Sequence, residues 1–247
     1  MVILALPAYN EERTLPPLFD AIEFMMAENR IEYRVVVVND GSRDGTAAAV
    51  DRVAARIPVE RVDHPENRGL GATIRTGLMY ALAKADDRDI IVTMDSDNTH
   101  TPGLIARMVR GIREGNDVVI ASRFQPGARI KGVPLHRRLL SRGASVLFRV
   151  VFPTPNVRDF TSGFRAYRAG VLRQAFETYG EQFVAESGFS CMVDILLKLR
   201  RLDAIMSEVP MILRYDLKFG VSKMFLFRTI IDTLRLLVVR RVGAGAP

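Results

Sequence analysis

Ile90-Ile91-Val92-Thr93-Met94-Asp95-Ser96-Asp97 is the stretch on which the reading of the fold turns. Its apolar, β-branched run predicts a buried strand, and the run stops at two carboxylates one residue apart. Asn98, Thr99 and His100 follow as a polar turn, and Pro102 suits the first turn of a helix. Carboxylates at i and i+2 just past a strand end can both turn onto one hard divalent cation, Mg²⁺ or Mn²⁺. Such an ion takes oxygen ligands and shares the rest of its shell with substrate phosphates. The plainer reading of Asp95 and Asp97 is a helix cap and a turn. The surroundings decide between the two.

Working outward, strand-like and helix-like segments alternate. Val2 to Leu6 reads as a strand, followed by the polar turn Pro7-Ala8-Tyr9-Asn10-Glu11-Glu12. Thr14 is a candidate cap for a helix to about Glu28, with Pro16 or Pro17 tolerated in its first turn. Val35 to Val38 is a buried strand ending at Asn39-Asp40-Gly41-Ser42, and Asp44 or Thr46 can cap the next helix. Val59 to Val62 is a short strand, and Asn67-Arg68-Gly69-Leu70-Gly71 leads into a helix through Ala83. Val118 to Ala121 is a further strand, ending at Ser122-Arg123. Repeated βα units imply an α/β fold with a parallel sheet covered on both faces. Tyr9 to Glu11, Asp40 to Ser42, Asp95 to Asp97 and Arg123 all follow the carboxyl end of a predicted strand. Ligands of open α/β sheets bind in the crevice outside those ends, so the four turns converge on one site.

Bulk properties narrow the classes. The chain has 247 residues with 48% hydrophobic content, enough for one large domain or one domain with an appendage. The lone Cys191 rules out a disulfide framework and a cysteine-rich metal site. No apolar segment is long enough to span a bilayer, and Met1 to Leu6 lacks the basic flank of a signal peptide. A net charge of +7 points to an anionic partner. The excess is concentrated between Arg107 and Arg149, where ten cations face only Glu114 and Asp117. No nucleic-acid-binding signature accompanies them, so nucleic acid is not the expected partner. A dehydrogenase-type dinucleotide fold fails on spacing, since Gly69-x-Gly71 lacks the third glycine and the first strand ends in Pro-Ala-Tyr-Asn-Glu.

The ordered motifs Pro7-Ala8-Tyr9-Asn10-Glu11, Asn39-Asp40-Gly41-Ser42, Asn67-x-Gly69-Leu70-Gly71, Asp95-x-Asp97 and Ser122-Arg123 resemble those of family-2 glycosyltransferases. Leu135 to Ala144, Asp159-Phe160-Thr161-Ser162-Gly163-Phe164-Arg165-Ala166-Tyr167-Arg168, Glu208-Val209-Pro210 and Gly220-Val221-Ser222-Lys223-Met224 narrow the likeness to the polyprenyl-phosphate glycosyltransferases, dolichol-phosphate mannose synthases among them. The resemblance implies a GT-A fold, Rossmann-like and mostly parallel, with a catalytic domain over 1–223. It also implies inverting transfer from a nucleotide sugar, GDP-mannose favoured over a UDP-sugar, to a polyprenyl phosphate. Pro7, Tyr9, Glu11 and Asp40 would then line the nucleoside pocket, and Asp95 and Asp97 would hold Mg²⁺ or Mn²⁺. Arg123, Arg137 and Ser141 would contact the transferring sugar and acceptor phosphate. Thr99 stands where the family has a third metal ligand, Gln, leaving water or His100 as substitutes. Met192 and Asp194 replace the family's Gln and Glu, and Arg214, Lys218 and Lys223 compete for one further cationic role.

An ionised phosphate needs no general base; a carbohydrate hydroxyl would, and Asp159 or Asp194 would supply it. A third reading is a non-catalytic module that binds anionic lipid or nucleic acid. Two segments read as basic amphipathic helices, Leu135 to Phe152 and Met224 to Val242, with Gly243 to Pro247 as a tail. In the first, Arg138, Arg142, Ser145 and Arg149 form the polar stripe and Leu139, Leu140, Leu147, Val150 and Val151 the apolar face. Such helices suit peripheral contact at the cytoplasmic face of a membrane, with a membrane partner protein replacing the carboxyl-terminal spans of relatives.

Overall fold

The computed structural model describes residues 1–186, 188 and 190–217. The Gly220 to Met224 motif, Lys218, Lys223, the expected helix from Met224 and the tail lie outside them. Nine strands and seven α-helices are described: β1 (Val2–Ala8), α1 (Leu15–Glu28), β2 (Tyr33–Asp40), α2 (Thr46–Val53), β3 (Val59–His64), α3 (Leu70–Leu82), β4 (Ile90–Thr93), α4 (Ile105–Arg113), β5 (Val118–Ser122), β6 (Arg129–Lys131), α5 (Leu135–Val151), β7 (Arg165–Arg168), α6 (Ala169–Tyr179), α7 (Ser190–Arg201), β8 (Met206–Pro210) and β9 (Ile212–Arg214). The main sheet runs β3-β2-β1-β4-β7-β5-β8, and β6 pairs with β9 apart from it. Within the main sheet only β7 is antiparallel to its neighbours, β4 and β5.

Alternation along each strand divides the apolar residues between two layers. Ile3, Val36, Val38, Ile91 and Ile120 face a core with Ile74 and Leu78 of α3, Leu172 of α6 and Ile195 of α7. Leu4, Leu6, Val35, Val37 and Val92 face the opposite core, with Phe19 and Ile22 of α1, Val50 of α2 and Met108 of α4. Each fully buried Val, Leu or Ile contributes about 1.5–3 kcal/mol, so these two layers fix the register of the sheet. Strand order reverses beside β1, where β2 lies on one side and β4 on the other. The turns after β1 and β4 therefore flank a topological switch point, the usual crevice of an open α/β sheet.

Two local expectations change. Thr14 does not cap α1; its hydroxyl donates to Glu11 Oε2 at 2.7 Å. Asp44, by contrast, does receive the Thr46 N–H at the start of α2, at 3.0 Å. The expected faces of α5 hold only in part: Arg142 and Arg149 are exposed, but Ser145, expected on the same solvated stripe, is buried and donates to the Arg158 carbonyl at 2.7 Å. Phe148 packs beside it against Phe160 at 5.5 Å between ring centroids. Of the expected apolar face, Val151 packs partly on the core, whereas Leu139, Leu140, Leu147 and Val150 are exposed.

Candidate active site

The turns after β1 and β2 are knitted into one rim. Asn10 sits at φ 53, a left-handed conformation that asparagine tolerates better than most residues. Its N–H donates to Ser42 Oγ at 2.9 Å, and its Oδ1 accepts from Arg43 N–H at 2.8 Å. The Glu11 N–H donates to Thr46 Oγ1 at 2.8 Å, and Glu12 Oε2 accepts from Gly45 N–H at 2.7 Å. Glu11 thus serves as a joint between loops, while Tyr9 faces a pocket lined also by Asn39, Gly41, Ser42, Arg43, His64, Pro65, Glu66 and Asn67. Sequence reading singled out Tyr9 but missed Asn39, Arg43, His64 and Glu66. Their place at or just past the carboxyl ends of β2 and β3 was the available signal.

Asp40 departs from its expected place. It is only 3% exposed and does not line that pocket. Its Oδ1 accepts from Arg68 N–H and its Oδ2 from Gly69 N–H, each at 2.9 Å, and Oδ1 also meets His64 Nδ1 at 2.7 Å. The carboxylate supports the turn before α3, which forms one wall of that pocket.

Asp95 and Asp97 emerge from β4 at the switch point, both partly exposed. Ser96 between them is buried and donates to the Pro7 carbonyl at 2.8 Å, tying this turn to the end of β1. Asn98 turns back at φ 63, and Thr99 donates through Oγ1 and N–H to Asp97 Oδ1 at 2.6 and 3.2 Å. His100 stacks on Phe164 at 5.1 Å between ring centroids and accepts the Asp95 N–H through Nδ1 at 3.3 Å. With Nδ1 accepting, the neutral ring carries its proton on Nε2, which lies 3.8 Å from Asp95 Oδ2. Gly163 keeps the space beside Asp95 open, since a Cβ there would stand 3.2 Å from Asp95 Oδ1. Among the described residues no group of three or more His, Cys, Asp or Glu could hold a metal. Two hard carboxylates with the remaining shell left to phosphate and water is a donor set that fits Mg²⁺ or Mn²⁺.

Arg123, just past β5, is clamped from below. Its Nε and Nη2 donate to Asp159 Oδ2 and Oδ1 at 2.8 and 2.7 Å, its backbone N–H donates to Oδ2, and Nη2 reaches Thr161 Oγ1. Burial alone would raise the Asp159 pKa, but Arg123 outweighs it and holds the carboxyl below the usual range. For Arg123, burial pulls down and Asp159 pushes up, and the net shift is upward. Glu208 of β8 supports the same loop, its Oε1 accepting from Arg158 and Asp159 N–H at 2.6 and 2.7 Å. Burial raises the Glu208 pKa despite those bonds. Asp194, on α7, is fully buried and paired with Lys198. Met192 is buried as well, and its carbonyl accepts from Arg165 at 2.7 Å. Arg214 is engaged by Asp216 at 2.9 Å. On α5, Ser141 is partly exposed, in the stripe that continues through Ser145 and Phe148, and the side chain of Arg137 lies outside those described.

Comparison with known proteins adds the following. A family model described as "Glycosyl transferase family 2" matches residues 4–176. An undecaprenyl-phosphate mannosyltransferase of Micrococcus luteus is 32% identical over 224 residues, covering 90% of this chain and 87% of the relative. A dolichol-phosphate mannosyltransferase of Pyrococcus furiosus is 30% identical over 198 residues, 80% of this chain; the match spans about half of that relative, 52%. Among solved structures, glucosyl-3-phosphoglycerate synthase of Mycobacterium tuberculosis, in complex with Mn²⁺ and UDP-glucose, superposes with a TM-score of 0.67. That match has 19% identity and covers 98% of this chain and 79% of the other.

Proposed function

The chain belongs to glycosyl transferase family 2 and has the GT-A fold, and on that premise we propose that it moves a sugar, mannose by preference, from a nucleotide sugar to a polyprenyl phosphate with inversion. The observation that carries this reading is the fate of two carboxylates. Asp159 and Asp194 are the groups that would deprotonate a hydroxyl acceptor, and each is closed in a buried ion pair, with Arg123 and Lys198. A phosphate acceptor is already ionised and needs neither. The relatives' names, which pair mannosyl transfer with polyprenyl phosphates, support the same acceptor.

In this reading Tyr9 and the turn at Pro65–Asn67 receive the nucleoside, leaving the diphosphate near Asp95 and Asp97. These two residues would hold Mg²⁺ or Mn²⁺, which when bound offsets the charge growing on the leaving diphosphate. Asp159 and Thr161 hold the Nε and Nη2 edges of Arg123, so Nη1 is the edge that meets the sugar or acceptor phosphate. Arg137 and Ser141 would bring the acceptor phosphate in along α5. The outer face of that helix, with Leu139, Leu147 and Val150 exposed beside Arg142 and Arg149, suits the interface of an anionic bilayer. Each arginine near such a surface contributes about 1 kcal/mol. No helix of the described residues is long and apolar enough to cross a membrane; in this reading the exposed face of α5 is what brings the enzyme to the surface where its lipid acceptor lies.

The test is a matrix of donors against acceptors. GDP-mannose, UDP-glucose and UDP-N-acetylglucosamine are each offered with polyprenyl phosphate, free polyprenol or a soluble sugar. Transfer is expected to the phosphate alone, from GDP-mannose, and to stop with a chelator. Transfer to a soluble sugar at a comparable rate would overturn the acceptor assignment. Asp97→Ala is expected to lower transfer by roughly a thousandfold or more, about 4 kcal/mol, and to abolish Mn²⁺ binding followed by paramagnetic resonance.

A further inference from the structure

One wall of the pocket is the turn between β3 and α3, and a buried relay holds it. Asp40 grips the backbone of that turn at Arg68 and Gly69, His64 Nδ1 meets Asp40 Oδ1 at 2.7 Å, and His64 Nε2 meets Thr76 Oγ1 of α3 at 3.0 Å. His64 is 6% exposed yet reaches the pocket lining. A carboxylate only accepts, so Nδ1 carries the proton shared with Asp40. Gly41, at φ +65, abuts the same turn, and a Cβ there would fall 2.4 Å from the Glu66 backbone.

We infer that His64 is a positioning residue for the nucleoside of the donor: its Nδ1–H locks the Asp40 carboxylate so that both oxygens face the Arg68 and Gly69 amides, which sets the Pro65–Asn67 wall. The inference rests on the proposed use of this pocket for a nucleotide sugar. Without the imidazole donor the carboxylate can rotate, and one amide of the turn loses its acceptor in a buried place.

Two substitutions separate the nitrogens. His64→Asn puts an amide N–H near the position of Nδ1 and keeps the Asp40 bond. His64→Gln reaches the position of Nε2 and leaves Asp40 without its side-chain donor. Dissociation constants for GDP and UDP with Mg²⁺, measured by calorimetry, are expected to weaken tenfold or more in His64→Gln and to stay within threefold of wild type in His64→Asn. Pyrophosphate with Mg²⁺, which has no nucleoside, should bind all three proteins alike. Thr76→Val keeps the Asp40 bond, should keep nucleotide affinity, and serves if His64→Gln fails to fold. Equal nucleotide affinity in His64→Gln and wild type, an equal loss for pyrophosphate, or a tenfold loss in Thr76→Val would overturn the inference. A wild-type protein that binds neither GDP nor UDP would overturn the nucleotide reading itself, and this inference with it.

Discussion

At the scale of single residues, Arg123 and Asp159 illustrate how one pair can serve both stability and chemistry. Asp159 is wholly buried, and its charge is tolerated because Arg123 meets it through two parallel bonds. Removing one partner strands the other, so Asp159→Ala should cost about 3–5 kcal/mol in urea unfolding. The pH dependence has a definite sign. Because the folded carboxyl titrates below its unfolded value, its contribution is complete above the ordinary carboxylate range. It is lost as pH falls through the depressed value. Urea midpoints of the wild type should therefore drop on acidification through that window more steeply than those of Asp159→Asn; parallel curves would show that the pair adds nothing. The clamp also explains why Asp159 was ambiguous in sequence. An aspartate before Phe-Thr-Ser-Gly looks equally like a base or a strut, and only the approach of Arg123 from the end of β5 decides.

At the scale of elements, α5 is the informative case. Its residues alternate between arginine and leucine at helical spacing, which made a basic amphipathic helix legible. Which side faced the protein was not legible, because Ser145 and Phe148 earn burial through partners distant in sequence, Arg158 and Phe160. The leucines consequently point outward. Replacing Leu139 and Val150 together by Glu should abolish co-sedimentation with anionic vesicles and raise KM for long-chain polyprenyl phosphate about tenfold. The melting temperature should move by no more than about 2 °C, since exposed substitutions stay within about 0.5 kcal/mol. Retained vesicle binding, or a melting point lowered well beyond that, would show that this face packs on protein instead.

Across the whole molecule, two apolar layers enclose one sheet, and Cys191 lies in the layer shared by α3, α6 and α7. Burial pushes its thiol up to about 12, so almost no thiolate exists at neutral pH and reagent has no path to it. Cys191 should resist Ellman's reagent at pH 8 in the native protein and react fully in urea, with a transition that coincides with loss of helical circular dichroism. Labelling well below that transition would place α7 in a unit that opens separately from the sheet.

Strand and helix periods, the turn residues after each strand and the Asp95–Asp97 pair are local properties, and the sequence alone determined them: the α/β class, the mostly parallel sheet and the rim at its carboxyl edge. Tertiary structure decided what depends on partners remote in the chain. It inserted β7 between β4 and β5, a strand hard to foresee because Arg165 stands at its head and is buried only by its bonds to the Met192 and Phe160 carbonyls. It turned Asp40 inward to His64 and closed Asp159 against Arg123. Apolar spacing reports the period of an element, but the face it buries, as in α5, and the role of a charged side chain depend on the groups that the tertiary fold brings beside it.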